Sequence, residues 1–142
     1  MYSQLAKTSI FFRVKTCGAS ISNNCTYIQN PNYPSSESTG TSCSFSISPL
    51  SADICQLRLD FDNFDITETS PATGTCVDTF DVTSGNSRDY YALCGTLTGQ
   101  HVYIETGRKT SDQTLAFTIA TTSTVATWRV KVNQVECYST SK

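Results

Sequence analysis

The sequence predicts an all-β sandwich of two packed sheets, and three features predict it. Apolar and polar residues alternate with a period of two, turn formers separate the alternating runs, and seven cysteines are spread through 142 residues. Alternation of this kind gives a strand one apolar and one polar face, as a half-buried antiparallel sheet requires. In chain order, Cys43, Phe45 and Ile47 alternate with Ser44, Ser46 and Ser48. Cys55, Leu57, Leu59 and Phe61 then alternate with Gln56, Arg58, Asp60 and Asp62. Phe80 and Val82 flank Asp81, and Val102 and Ile104 flank Tyr103. Leu115, Phe117 and Ile119 form the next run, and Trp128, Val130 and Val132 the last. Between the runs lie Asn30-Pro31-Asn32-Tyr33-Pro34, Ser70-Pro71-Ala72-Thr73-Gly74, Ser84-Gly85-Asn86 and Thr106-Gly107-Arg108, all turn chemistry. No stretch carries a helical stripe. A closed barrel is the alternative that periodicity alone leaves open.

Near the end the phase slips. The alternation from Trp128 would place Gln134 inside, yet apolar positions resume at Val135 and Cys137. A β-bulge at Asn133-Gln134 is therefore expected, turning Cys137 inward. Cys55 opens its own strand on the inner face, so antiparallel pairing of these two strands would make a Cys55–Cys137 bond natural.

Composition narrows the function classes. Charged residues are 15% of the chain, the net charge is −2, and 19 Ser and 22 Thr supply a hydroxyl-rich surface. A nucleic-acid binder would show a basic excess on one face, and a polybasic membrane anchor a cluster of Lys and Arg. Neither is present, and no apolar run reaches the length of a membrane helix. Cysteines at 17, 25, 43, 55, 76, 94 and 137 lack the close pairs of zinc sites, and His101 is the single histidine. Widely spaced cysteines in a small chain point to disulfides and an oxidising compartment, with one left over. Residues 1–16 show no signal peptide, since only Ile10-Phe11-Phe12 precede Arg13. The expectation is a fragment or mis-started chain, in which 1–16 is an extension outside the fold, 17–138 the domain and 139–142 a tail. Cys17 is then unpaired, its partner lying upstream.

From Cys25 to Cys137 the chain resembles a CUB domain, of the arthropod secreted type. The resemblance rests on Cys25 followed by Asn30-Pro31-Asn32-Tyr33-Pro34, then Cys43-Ser44-Phe45-Ser46-Ile47 and Leu57-Arg58-Leu59-Asp60-Phe61-Asp62-Asn63-Phe64. Cys76-Val77-Asp78-Thr79-Phe80-Asp81-Val82, Leu93-Cys94-Gly95 and Trp128-Arg129-Val130-Lys131-Val132 follow in the family's order. It implies a jelly-roll-like sandwich of two antiparallel sheets. It also implies Cys25–Cys43 and Cys76–Cys94 bonds, which leaves Cys55 and Cys137 to each other.

The family often holds calcium, and Glu68 and Asp78 resemble two of its carboxylate ligands. Calcium takes six to eight oxygens, and no carboxylate in 118–127 supplies the third ligand, so a solvated acidic rim is the expectation and no cofactor is assigned. Catalysis finds no footing: His101 has no Gly-x-Ser-x-Gly partner motif. Asn24-Cys25-Thr26 is an N-glycosylation acceptor pattern. Tyr27, Tyr33, Tyr90, Tyr91, Tyr103 and Tyr138 exceed what a core can absorb, and Arg88, Asp89, Tyr90 and Tyr91 form the candidate binding surface. The expected function is a secreted, non-catalytic module binding an extracellular protein, with no nucleic-acid partner and no membrane insertion. The alternatives are the accessory domain of a trypsin-like protease, or a spermadhesin-like glycan binder.

Overall fold

The computed structural model describes residues 13–36, 41–66, 74–83, 90–105, 115–121 and 126–137. Ten strands run in chain order: β1 (Val14–Lys15), β2 (Ser20–Ile21), β3 (Cys25–Gln29), β4 (Thr41–Ile47), β5 (Ile54–Asp65), β6 (Thr79–Thr83), β7 (Tyr90–Leu93), β8 (His101–Glu105), β9 (Leu115–Thr121) and β10 (Thr127–Glu136). They form two five-stranded sheets, β1-β3-β10-β5-β8 and β2-β4-β9-β6-β7. The described residues include no helix, as the period-two pattern predicts.

Each sheet is antiparallel except at one edge, where a two-residue strand pairs in parallel: β1 with β3 and β2 with β4. The expected antiparallel pairing holds for every other strand pair of the two sheets. The β1 pairing moves the start of the fold. Val14 lies opposite Tyr27, and the Tyr27 amide donates to the Arg13 carbonyl at 2.9 Å, so part of the expected 1–16 extension is sheet.

The inner faces supply the core. Phe45, Leu57, Leu59, Phe64, Phe80, Ile104, Trp128, Val130 and Val132 are buried between the layers. The Phe45 and Trp128 rings meet edge to face at 6.0 Å, and Phe61, Phe64 and Phe80 form a second aromatic group with centroids 5.0–6.3 Å apart. Each such side chain contributes about 1.5–3 kcal/mol through burial.

The disulfides differ from expectation at one point. Cys55 is joined to Cys137 and Cys76 to Cys94. Cys43, however, is joined to Cys17 and not to Cys25, and Cys25 is the free thiol. The register explains the exchange. Ser20 lies opposite Ser46 and Ile21 opposite Ile47, an offset of 26 residues that carries Cys17 to Cys43. Gly18, at φ 84°, makes the turn after Cys17, and its amide donates to the Ser44 carbonyl at 2.9 Å. Cys25 belongs to the other sheet, opposite Asn133.

The expected bulge also shifts. Gln134 is only 5% exposed and continues the inward phase of Trp128, Val130 and Val132. Register irregularities fall instead at Arg129/Val130 and Val135/Glu136. Gln134 tolerates the interior because its amide is satisfied. Its Oε1 accepts from the Leu50 amide at 2.8 Å, and its Nε2 donates to the Asn23 and Ser48 carbonyls, each at 3.2 Å.

Candidate functional site

The polar members of the alternating runs all leave the first sheet on one side, because β3, β10, β5 and β8 are hydrogen-bonded neighbours. Their registers set side chains into rows across the strands. One row runs Cys25, Asn133, Arg58, Tyr103, and the next runs Tyr27, Lys131, Asp60, His101. A third brings Gln29 beside Arg129, and Asp62 continues the outward phase of Arg58 and Asp60. The result is a face of arginine and tyrosine set among amides and carboxylates.

Two arginines organise it. The Arg129 guanidinium stands 4.4 Å from the centroid of the Tyr27 ring and 5.7 Å from that of Tyr33. It also donates to Gln29 Oε1 at 3.2 Å and lies 3.8 Å from an Asp62 carboxylate oxygen. Tyr33 is delivered by the Asn30–Pro34 turn. Asn30 is buried, its Oδ1 accepting from the Trp128 amide and its Nδ2 donating to the Ser35 carbonyl, both at 2.9 Å. Arg58 lies 3.0 Å from Asp60, donates to the Tyr103 hydroxyl at 3.2 Å, and covers the Tyr103 ring at 5.6 Å. The hydrogen bond to Asp60 and its negative charge hold the Arg58 guanidinium above its ordinary pKa. Both cations are thus fixed in place without being buried. Arginine and tyrosine held this way present area at low entropic cost, which is the composition of contact hot spots.

On this face lies a concavity of about 540 Å³, lined by Ile54 and Val135 together with Asn24, Leu50, Arg58 and Tyr103. A smaller one of about 260 Å³ adjoins it, sharing Asn24 and Leu50 and reaching Cys25 and Arg13.

The sequence-predicted sites fall differently. Arg88 and Asp89 lie outside the described residues, as does Glu68; Tyr90 and Tyr91 begin the edge strand β7, and of these two only the backbone is described. Asp78 is fully buried and has an interaction partner. Among the described residues no group of three or more His, Cys, Asp and Glu could hold a metal ion. His101 is exposed, its ring edge-on to Tyr103 at 5.8 Å. Asn24 is exposed. Sequence reading marked Tyr27, Tyr33 and Tyr103 as surplus to the core. It missed that Arg58 and Arg129 join them; the signal available was arginine at outward positions of two runs.

Comparison with known proteins agrees with this architecture. The family described as CUB domain matches residues 17–132. The crystal structure of the MASP-1 CUB2 domain bound to Ca2+ is similar with a TM-score of 0.60 at 19% identity, covering 82% of this chain and 98% of that one. The full extracellular region of zebrafish Gpr126/Adgrg6 gives 0.59 at 17% identity, covering 86% of this chain and 15% of that one. The human MASP-1/3 CUB1-EGF-CUB2 structure gives 0.59 at 17% identity, covering 87% and 44%. The chain thus spans less than half of these two longer structures. No curated protein matches it.

Proposed function

The chain belongs to the CUB domain family, and from that premise we propose that it is an extracellular, non-catalytic module that binds a protein partner through the outer face of its first sheet. The observation that carries this reading is the pair of fixed arginines, each laid over tyrosine. A catalytic site needs a nucleophile and base within hydrogen-bond reach; this face offers ion-paired and stacked groups. Three disulfides suit a protein made outside the cytosol. The segment Arg88, Asp89, Tyr90 and Tyr91 is the second surface we assign to contact.

The test is affinity capture from extracellular fluid of the source, using the oxidised domain and two variants as bait. Capture of one discrete protein by the wild-type domain and by R88A, but not by R58A/R129A, supports the sheet face. Loss with R88A alone moves the site to the Arg88–Tyr91 segment. Capture by none, or hydrolysis of a substrate panel, overturns the reading.

A further inference from the structure

Thr26 poses a problem that packing does not solve. It is fully buried on the inner side of β3, and its hydroxyl has no hydrogen-bond partner. Such an orphan costs about 1–3 kcal/mol, and a valine would fill the same space without it. The hydroxyl does have a use before folding: Asn24-Cys25-Thr26 is an acceptor triplet for N-glycosylation, which reads the side chain two residues after Asn.

The folded surroundings suit the modification. Asn24 is exposed in the bend before β3, and its backbone is fixed because its carbonyl accepts from the Gln134 amide at 2.9 Å. It lines both concavities described above. Leu50, which lines both with it, is 51% exposed, an apolar surface with nothing over it in the fold. Cys25, a half-buried free thiol, lines the smaller concavity. The bond expected to tie Cys25 to Cys43, which would have constrained this triplet, does not form.

We propose that Asn24 carries an N-linked glycan whose proximal N-acetylglucosamine rings lie over Leu50 and screen the Cys25 thiol. The Asn24 amide nitrogen forms the bond to the anomeric carbon of an oligosaccharide carried on a polyprenyl diphosphate. The bond from that carbon to the diphosphate oxygen breaks, the lipid diphosphate leaves with the electron pair, and the amide loses one proton to a base. The donor and its transferase belong to the secretory pathway, so the inference rests on the extracellular reading. It accounts at once for an orphaned hydroxyl, an uncovered leucine, and an odd thiol persisting where thiols oxidise.

The test secretes the full chain from eukaryotic cells and compares it with T26V and T26S. Wild type and T26S are expected to lose a discrete mass on enzymatic glycan release, while T26V secretes unmodified with an unchanged or raised melting temperature. Maleimide labelling of Cys25 in the folded protein should accelerate about tenfold after glycan release, because thiol reaction follows access. No mass change on release from wild type, or equal labelling before and after, overturns the proposal. Peptide mapping of the naturally produced protein separates the two readings. Linked cysteines with unmodified Asn24 remove only the glycan, whereas unlinked cysteines remove the extracellular reading and the glycan with it.

Discussion

Gln134 on β10 holds the chain at Leu50 from the inside: its side-chain oxygen accepts the Leu50 amide at 2.8 Å while its nitrogen reaches the Asn23 and Ser48 carbonyls. Three backbone groups from two separate connections thus depend on one side chain. Q134L keeps the volume and strands all three, so it should lower stability by about 2–4 kcal/mol. The urea midpoint of oxidised protein measures this, and a shift below that of a surface substitution would show that water replaces the amide.

Asn30 is the corresponding tie at the other end of the first sheet. Asn30→Asp retains an acceptor for the Trp128 amide but loses the donor to the Ser35 carbonyl; Asn30→Ala loses both. The expected order of stability is wild type, then aspartate, then alanine, with the last down by about 2–3 kcal/mol. Because the same turn delivers Tyr33 to Arg129, alanine should also weaken partner binding.

The cysteines separate cleanly. C17S opens a loop of 26 residues and should cost about 3–4 kcal/mol in the chain-entropy account. C25S removes no bond and should change stability by less than about 1 kcal/mol. Thermal unfolding of the two variants distinguishes this pairing from a Cys25–Cys43 link, which predicts the reverse order.

How far these relationships can be read in advance depends on what fixes them. The alternation of Leu57, Leu59 and Phe61 against Arg58, Asp60 and Asp62 states its own burial, and β5 follows it. Gln134 does not, because a polar residue in an inward phase reads as a slip of register. Only the positions of the Asn23, Ser48 and Leu50 backbone groups make it a core residue. Cys17 reads as unpaired in the sequence for a similar reason. Its partner is set by the register of β2 on β4, and a two-residue strand leaves no periodic signature. The arginine and tyrosine face was half legible: the tyrosines stood out as surplus, but their pairing with Arg58 and Arg129 requires knowing which strands are neighbours.

Arg129 should matter more for binding than for folding. R129A removes an exposed cation–aromatic contact worth about 0.5–1 kcal/mol. At the centre of a contact surface the same change should weaken affinity by tenfold or more, roughly 2 kcal/mol. R129K keeps the charge but not the flat guanidinium, and should recover less than half of that loss. Surface plasmon resonance against the captured partner reads both variants; wild-type affinity in each would remove Arg129 from the interface.

From β1 the chain runs directly on to β2. Within a few residues it borders one sheet and then the other, occupying an outer edge of each with only two paired residues. Strands this short offer little backbone for another chain to zip onto, so these flanks resist the lateral fusion that turns β proteins into fibrils. Loss of the Cys17–Cys43 bond would loosen that guard at the very place where it is anchored, and self-association should then begin from the uncovered β4.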